Sequence, residues 1–381
     1  MPDGGLSAPN FKPVRNRIYS WGISAYSRKV QPRQGSTWKK WDLHVHTPAS
    51  FHWKDGKKLD HMTGEEKNAF WTRFVNQVNE SDIAVFGIQD YWDFNGYISL
   101  RNFLAQPGAP KCQKTVLPGI ELRLEAPTNF RLNFHLLFSE RVEPDKLQGL
   151  PFNMKLSGLD DVPAAPIYIL EWAKRLDDGK LRAHGFHPDD RRDRERMLEL
   201  GYKTVTVTWA SLTAALRGFN REDYIVILPY DTSDGLKKLD WKKQTHFDAT
   251  MFRFADFFEC RNQEDVDLFL GRRTEKNEAI FSDFLQCLGG RAKPVVSGSD
   301  AHRLVDYGKF PSGRTTWIKS DPTFEGLRQC LADPASRVHI GAQPPKLNTI
   351  KDFPGATSLV SSWRKDLNLA SMRIGLMRAF P

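Results

Sequence analysis

Residues 38–47 read Trp38-Lys-Lys-Trp-Asp-Leu-His-Val-His-Thr47, and this stretch decides how the rest of the chain is interpreted. Asp42, His44 and His46 alternate with apolar residues, so a β-strand would place all three polar side chains on one face. Neutral imidazoles and carboxylates bind zinc, iron or manganese, and a carboxylate behind a ligating imidazole fixes its tautomer, which is the role predicted for Asp42. The stretch therefore predicts one wall of a metal site.

A second pair of the same kind lies far down the chain, in Gly298-Ser-Asp-Ala-His-Arg303. Asp300 and His302 are two residues apart and follow an apolar run that begins at Pro294. One His-x-His pair alone is equally typical of an exposed strand edge. Two such pairs, each at the end of a predicted strand, favour a metal site.

Apolar segments along the chain predict seven β-strands, at roughly residues 41–46, 83–89, 114–120, 134–138, 224–229, 254–259 and 294–299. Most are separated by helical patterns, which implies parallel pairing and an α/β fold closed into a barrel. In such barrels the active site gathers at the carboxyl ends of the strands, where the acids and histidines singled out here lie. An insertion is predicted around 140–220, with a peripheral strand at Lys203-Thr-Val-Thr-Val-Thr-Trp209.

Size and charge narrow the class of protein. The chain has 381 residues, which suits a single α/β barrel, and Lys plus Arg outnumber Asp plus Glu by 55 to 46. This surplus favours anionic partners such as phosphoesters or nucleic acid. The four cysteines have no CxxC spacing, which is typical of reduced thiols in an intracellular protein. The sequence has neither a signal-peptide pattern nor a bilayer-spanning run, so we expect a cytoplasmic protein without a membrane partner.

A set of motifs spread along the chain resembles the PHP (polymerase and histidinol phosphatase) superfamily. In order, these motifs are His44-x-His46, His52, Asp90, Pro118-Gly-Ile-Glu121, His135 and Ser299-Asp-Ala-His302. The resemblance covers about residues 38–320 and implies a distorted seven-stranded, TIM-like (β/α)7 barrel that hydrolyses phosphoesters. The cofactors that it implies are two to three divalent metal ions: zinc, manganese or iron.

The resemblance also implies a ligand set. His44, His46, Glu121 and Asp300 would complete one metal site, and the same four residues would be catalytic. Glu121 would bridge to a second ion that is also bound by His135. His52 and His302 would hold a third ion. We therefore expect seven ligands in all: His44, His46, His52, Glu121, His135, Asp300 and His302.

Two positions depart from the family pattern. The chain has Asp90-Tyr91 where most members have Asp-His, and Leu228-Pro229 where most have His-Pro, so two imidazoles are missing. Carboxylates that could replace them are Asp90, Asp231 and Glu259, and the Tyr91 hydroxyl could bond a substrate oxygen. Asp90 and Tyr91 are therefore further catalytic candidates.

Arginines near the strand ends are candidate substrate-binding residues. Arg261, Arg303 and Arg314 could each bind a phosphate through two parallel hydrogen bonds. The alternative for any one of them is an ordinary surface arginine.

More narrowly, Trp38 to Ser50 and Thr316 to Arg328 resemble the N-terminal half of TrlF-type proteins, in which such a domain precedes an AAA-like, SMC-related ATPase. The chain lacks a Gly-x-x-x-x-Gly-Lys-Ser/Thr loop, so an ATPase is expected only as a partner or as a missing second half. The predicted domains are a flexible basic arm (1–37), the barrel (38–345) and a tail or docking segment (346–381).

Three functions remain open. The first is a metal-dependent phosphoesterase that cleaves nucleic acid, in a nuclease-like role such as defence against foreign DNA or RNA. The second is a phosphatase of small phosphorylated metabolites. The third is a partly degenerate barrel that binds an ATPase, although a protein without catalytic activity would have little reason to bury so many polar groups.

Overall fold

The structure is a computed structural model that describes residues 37–126, 131–159, 161–232, 234–239, 243 and 247–345. All but one residue of the predicted N-terminal arm, and the whole predicted tail at 346–381, lie outside the described residues. The domain boundaries drawn there stay predictions. Among the helices that are described, none is long and apolar enough to cross a membrane.

A single sheet forms the centre of the described fold. Its strand order is β7-β6-β5-β4-β3-β2-β1-β8-β9. The strands are β1 (Trp38–Val45), β2 (Ile83–Tyr91), β3 (Thr115–Leu124), β4 (Leu132–Phe138), β5 (Tyr224–Pro229), β6 (Phe257–Glu259), β7 (Val295–Val296), β8 (Thr316–Lys319) and β9 (Val338–Ile340).

Helices cover the sheet and fill the long connection between β4 and β5. They are α1 (Gly64–Glu80), α2 (Asn95–Leu104), α3 (Pro144–Asn153), α4 (Pro166–Lys174), α5 (Asp178–Ala183), α6 (Arg194–Thr204), α7 (Trp209–Leu216), α8 (Phe247–Phe254), α9 (Gln263–Phe269), α10 (Glu278–Cys287), α11 (Phe324–Arg328) and α12 (Pro334–Arg337). α1 shows the local logic: the Thr63 side chain and Glu66 form a capping box at its start. From there the helix buries a stripe that includes Phe74 and Val78.

The sheet nearly closes into a barrel, which confirms the predicted α/β barrel class. After β7 the chain runs beside the end of β1, where the Asp300 amide donates to the His44 carbonyl at 2.9 Å. The His46 amide donates to the Ala301 carbonyl at 3.0 Å, and Val45 bridges to Ala301 in parallel. These contacts join the two ends of the β1-to-β7 sheet, and we call this junction the seam.

The predicted count of seven strands is wrong, because β8 and β9 add two strands beyond β1. β8 pairs antiparallel with both β1 and β9. The two strands have only four and three residues, too short for a clear alternation of apolar and polar residues.

The predicted parallel pairing fails at β4. This strand runs antiparallel to both β3 and β5, whereas β1–β2–β3 and β5–β6–β7 are parallel. β3 continues to Leu124 and β4 begins at Leu132, so the connection is too short for a parallel crossover. As a result, Glu121 and His135 face each other within the strands and do not lie beyond the strand ends.

The strand predicted at residues 203–209 is also wrong. α6 continues to Thr204, and Val207 makes only isolated bridges, to Leu124 and to Leu156. A helical turn with its apolar face against α4 outweighs the local alternation: Gly201 of α6 lies so close to Ile169 of α4 that a Cβ atom would meet its side chain at 2.4 Å. The predicted insertion is therefore mainly helical.

Candidate metal centre

Imidazole and carboxylate side chains from separate parts of the barrel meet in its interior. β1, β3, β4 and β6 supply one each, His46 follows directly after β1, and the segment after β7 supplies two. Because side chains alternate along a strand, each of these strands can direct a ligand inward while its neighbours pack outward. We call this set the ligand cluster: His44, His46, Glu121, His135, Glu259, Asp300 and His302.

The first group of ligand atoms joins β1 to β3. The His44 Nε2 atom lies 3.2 Å from His46 Nε2 and 3.3 Å from Glu121 Oε2. Gly298 makes this packing possible, since a Cβ atom there would approach the His44 Cβ to 2.2 Å. The glycine in the segment after β7 is thus required by the histidine on β1.

Two further groups share members with the first. In one, Glu259 Oε2 lies 3.1 Å from His44 Nδ1 and 3.7 Å from His135 Nδ1. In the other, Asp300 Oδ1 lies 3.4 Å from His46 Nε2 and 3.5 Å from His302 Nε2. The ligand atoms of each group lie within 4.8 Å of one another, so each group is a candidate site for one ion.

Several buried atoms of the cluster have no hydrogen-bond partner among the described residues. They are His46 Nδ1, Glu121 Oε1, His135 Nε2 and His302 Nδ1. Buried polar atoms are nearly always paired in folded proteins, so unpaired atoms at one place call for a further partner. Nitrogen and carboxylate oxygen donors together suit divalent zinc, manganese or iron. The residues present therefore fit a bound divalent metal.

Protonation in the cluster agrees with metal binding. Burial lowers the pKa of His46 to about 3, and it lowers the pKa of His135 well below its ordinary value. Both imidazoles are therefore neutral near pH 7, which is the form that binds metal. Burial raises the pKa of Glu121, because the charged carboxylate has lost its water. A cation would compensate that lost hydration.

His44 and Asp300 behave differently because they interact with each other. Burial opposes protonation of His44, but the carboxylates of Glu259 and Asp300 outweigh it and raise the His44 pKa well above its ordinary value. Burial likewise disfavours the Asp300 carboxylate, yet His44, His302 and His46 together lower its pKa. Without a metal, His44 thus carries the positive charge that these acids attract.

Asp42 does not contact an imidazole in the way that the sequence predicted. It is fully buried, and its carboxylate accepts hydrogen bonds from the Ser299 amide at 3.0 Å and the Gly308 amide at 2.9 Å. These bonds hold both ends of the loop that carries Asp300 and His302. Asp42 therefore positions two ligands through the backbone.

The residues singled out at the end of β2 separate in the structure. The Asp90 carboxylate points away from the cluster and accepts from the Thr47 amide at 2.8 Å and the Thr47 hydroxyl at 2.6 Å. Tyr91 remains beside the cluster, with its ring stacked on His46 at a centroid distance of 4.9 Å. Burial and the nearby Glu121 raise the pKa of Tyr91 well above its ordinary value, so its hydroxyl stays protonated.

His52 lies at the rim. Its ring centroid is 5.5 Å from that of His302, and it belongs to none of the three groups of ligand atoms found among the described residues. Burial lowers its pKa to about 4.

Of the three carboxylates considered as replacements for the missing imidazoles, the structure brings only Glu259 into the cluster. Asp231 accepts from the backbone amides of Arg261, at 2.7 Å, and Asn262, at 2.5 Å. Leu228 is buried in the apolar core. Glu259 is thus a member of the cluster that the family pattern alone did not identify.

The cluster opens into a cavity of about 400 Å³. Its lining includes three cationic side chains, those of Lys54, Arg123 and Arg261. Arg303 and Arg314 do not line it: they contact Asp306 at 2.7 Å and Gln263 at 3.4 Å, respectively.

Arg123 was missed by the sequence analysis. It is buried, and its Nη1 donates to Asn133 Oδ1 at 2.6 Å and lies 3.3 Å from Asp234 Oδ2. The signal that could have found it is its position two residues after Glu121, on the same face of β3.

A second cavity of about 400 Å³ lies beside α6 and is lined by residues that include Phe51, Lys58 and Tyr202. All three groups of candidate ligand atoms found in the described part of the chain contribute instead to the cavity at the ligand cluster. The chemistry therefore points to that cavity.

Comparisons with known proteins add little beyond the geometry. No protein-family model matches the sequence, and no curated protein matches it. An amidohydrolase from Chromobacterium violaceum, solved with bound sulfate and no metal, is 16% identical over 72% of this chain and 91% of its own, with a TM-score of 0.39. A candidate metal-dependent phosphoesterase from Bifidobacterium adolescentis is 14% identical over 69% of this chain and 88% of its own, with a TM-score of 0.34.

Proposed function

We propose that the chain is a metal-dependent phosphoesterase of PHP type, with nucleic acid as its substrate. The observation that carries the proposal is the buried ligand cluster, in which Glu121 Oε1 and His135 Nε2 are unpaired among the described residues, beside a cavity with a cationic lining. Because lysine and arginine side chains surround the ligand cluster at this cavity, the positive charge there would attract an anionic substrate.

Some residues of the ligand cluster belong to two of the three groups of ligand atoms, and the others belong to one. Glu121 would hold one ion together with His44 and His46, and because its Oε1 lies 3.9 Å from His135 Nε2 it could also contribute to a second ion at His44, His135 and Glu259. Asp300, between His46 and His302, would hold a further ion. When bound, paired divalent ions supply polarisation of the phosphoryl group and a lowered pKa for a nearby water.

Two further side chains beside the ligand cluster, those of Tyr91 and His52, could contact the substrate directly. The protonated Tyr91 hydroxyl can donate a hydrogen bond to a substrate oxygen, because its raised pKa keeps the proton in place. His52, with a pKa of about 4, is neutral near pH 7 and can accept or donate at the rim without adding charge.

Nucleic acid is proposed as the substrate class because of the chain's positive surplus of 9 charges and the lysine and arginine beside the ligand cluster. Binding should then weaken steeply with salt, since each phosphate contact releases a counterion. The cavity volume of about 400 Å³ favours a second candidate, a small phosphorylated metabolite, because it lies within the range of small-molecule sites.

The test compares these substrates on one preparation. The protein is stripped with chelator, resupplied with manganese, zinc or iron, and assayed on single-stranded and duplex DNA, on RNA and on p-nitrophenyl phosphate. We expect metal-dependent cleavage of nucleic acid that falls with salt. Cleavage of the monoester alone would support the metabolite phosphatase. No cleavage of any phosphoester, with metal bound, would contradict a phosphoesterase.

A matched pair of histidine variants links activity to the cluster. His46→Gln removes a buried ligand and should lower both metal content and activity, the latter at least about 100-fold. His61→Gln changes a histidine that is mostly exposed and bonds only Glu195 on the surface, so both readouts should stay at the wild-type value. If the two variants had the same metal content and activity, the ligand cluster would not be the catalytic site.

A further inference from the structure

We infer that Arg123 and Arg261 together form an anion site directly above the ligand cluster, and that this site binds the oxygens of the phosphate group that is hydrolysed. The inference rests on the proposed function and names the chemical group that the cavity recognises. Of the three arginines that the sequence suggested, Arg261 lines the cavity, whereas Arg303 and Arg314 do not.

A repeated spacing places the two arginines. Arg123 follows Glu121 by two residues, and Arg261 follows Glu259 by two residues. In each case the glutamate belongs to the ligand cluster and lies on a β-strand. Arg123 lies on β3 with Glu121, so the two side chains share a face. Arg261 lies two residues beyond the end of β6, and it lines the same cavity as Arg123.

Both arginines face the cavity, and neither is an ordinary surface residue. The Arg123 side chain is 11% exposed and the Arg261 side chain 35% exposed. The Nε atoms of both are buried and lack a hydrogen-bond partner among the described residues. A guanidinium group with a free donor, buried beside a cavity, is a ready site for an oxyanion.

The Arg261 guanidinium contacts a member of the ligand cluster, and the Arg123 guanidinium lies near Tyr91, whose ring stacks on His46 of the cluster. Arg261 Nη2 lies 3.6 Å from Glu259 Oε1, and the Arg123 guanidinium carbon lies 6.0 Å from the centre of the Tyr91 ring. An anion held by both arginines would therefore also reach the side of the cavity where the ligands meet. We therefore expect the oxygens that the two arginines bind to belong to the phosphate group that is hydrolysed.

Support from neighbouring residues fixes one arginine more firmly than the other. Asn133 and Asp234 bond Nη1 of Arg123, which holds the guanidinium in place and leaves its Nε side unpaired. Among the described residues, the Arg261 side chain has an ion-pair contact with Glu259 at 3.6 Å. Arg123 is thus a preset donor, and Arg261 is the member that can adjust to the anion.

The first experiment measures binding of inorganic phosphate to the metal-loaded full chain by calorimetry. Arg261→Gln and Arg123→Gln should each weaken phosphate binding about 10–100-fold, since each removes charge-assisted hydrogen bonds. Arg303→Gln and Arg314→Gln are the matched controls and should bind phosphate as the wild type does. Metal content, measured in parallel, should be unchanged in all four variants.

Arg123→Gln also removes the bonds to Asn133 and Asp234, so its thermal unfolding is recorded, and Arg123→Lys provides a variant that keeps the charge. Arg261→Gln decides the matter if Arg123→Gln does not fold. Phosphate affinity within about twofold of the wild type in Arg261→Gln, with metal still bound, would overturn the inference.

The outcomes for the site and for the function are distinguishable. Phosphate binding that depends on the arginines, without hydrolysis of any phosphoester, would support the anion site and reject the proposed function. Hydrolysis with unchanged phosphate affinity in both arginine variants would support the proposed function and reject the anion site. In a hydrolytic enzyme we further expect Arg261→Gln to raise the inhibition constant of phosphate, a change that a purely structural arginine would not produce.

Discussion

Replacing Asp42 by asparagine tests how the barrel seam holds its ligands. The Asp42 carboxylate accepts one bond from the Ser299 amide and one from the Gly308 amide. In Asp42→Asn, one oxygen remains an acceptor, but the new NH2 group would point at an amide N–H. One bond to a charged acceptor is therefore lost and a buried donor is left unpaired.

The size of the effect follows from those two bonds. A hydrogen bond to a charged group contributes about 1.5–3 kcal/mol, so we expect the free energy of unfolding to fall by about 2 kcal/mol. Burial raises the pKa of Asp42, which means that the buried charge itself is unfavourable, and its removal offsets part of the loss. The net change should still be well above the error of a urea titration.

The assay is urea unfolding of chelator-treated protein, with metal affinity measured separately. Asp82→Asn is the matched control, since Asp82 is 70% exposed and pairs only with Lys40, a contact that contributes at most about 1 kcal/mol. Asp42→Asn should lower both stability and metal affinity. A loss of metal affinity with stability equal to the control would refute this reasoning and show that Asp42 acts on an imidazole, as the sequence first suggested.

Two further predictions concern other buried carboxylates. Glu259→Gln should reduce the ions bound per chain in elemental analysis. Asp231→Asn is the control, because the Asp231 carboxylate accepts from the backbone amides of Arg261 and Asn262 and belongs to none of the groups of ligand atoms among the described residues, so metal content should stay unchanged. Equal losses would contradict the assignment of Glu259. Burial raises the pKa of Asp90 to about 6 from 3.8, so the folded state keeps a proton that the unfolded chain releases. That contribution is complete below pH 4 and is lost as the pH rises to 6, so in urea titrations the free energy of unfolding of the wild type, relative to that of Asp90→Asn, should fall by up to about 3 kcal/mol across this window. Parallel pH profiles would contradict the prediction.

The two pairs of polar residues at the seam were within reach of sequence reasoning. Alternation puts His44 and His46 on one face at the end of a strand, and Asp300 and His302 follow a short apolar run. The prediction that these pairs lie close together came from the barrel class, in which active-site residues gather at the carboxyl ends of the strands. The structure brings all four together. The sequence could identify these ligands because the same apolar segments that predict the strands also mark the strand ends where the ligands lie.

Glu259 and Arg123 show where such reasoning stops. Glu259 ends a three-residue strand, and its distance from His44 depends on how far the sheet curls, a property of the whole barrel. Arg123 lies on a strand that the sequence predicted to end near residue 120, whereas β3 continues to Leu124 because it pairs with the antiparallel β4. The direction of β4 is a tertiary property, set by the length of a connection and not by residue pattern.

If the ligand cluster binds an ion, metal binding and closure of the barrel at the seam are thermodynamically linked. Backbone bonds from Asp300 to His44 and from His46 to Ala301 alternate along it with the side chains that would bind the ions. A cation held by ligands on both sides of the seam would oppose opening of the barrel there. Its mass action would raise the free energy of local opening by RT ln(1 + [M]/Kd), about 2.7 kcal/mol at a hundredfold excess over Kd. Amide hydrogens of the seam should then exchange with solvent more slowly as metal is added, while those of the helices between β4 and β5 keep their rate. Metal supply would in this way decide how often the interior of the barrel is exposed to water.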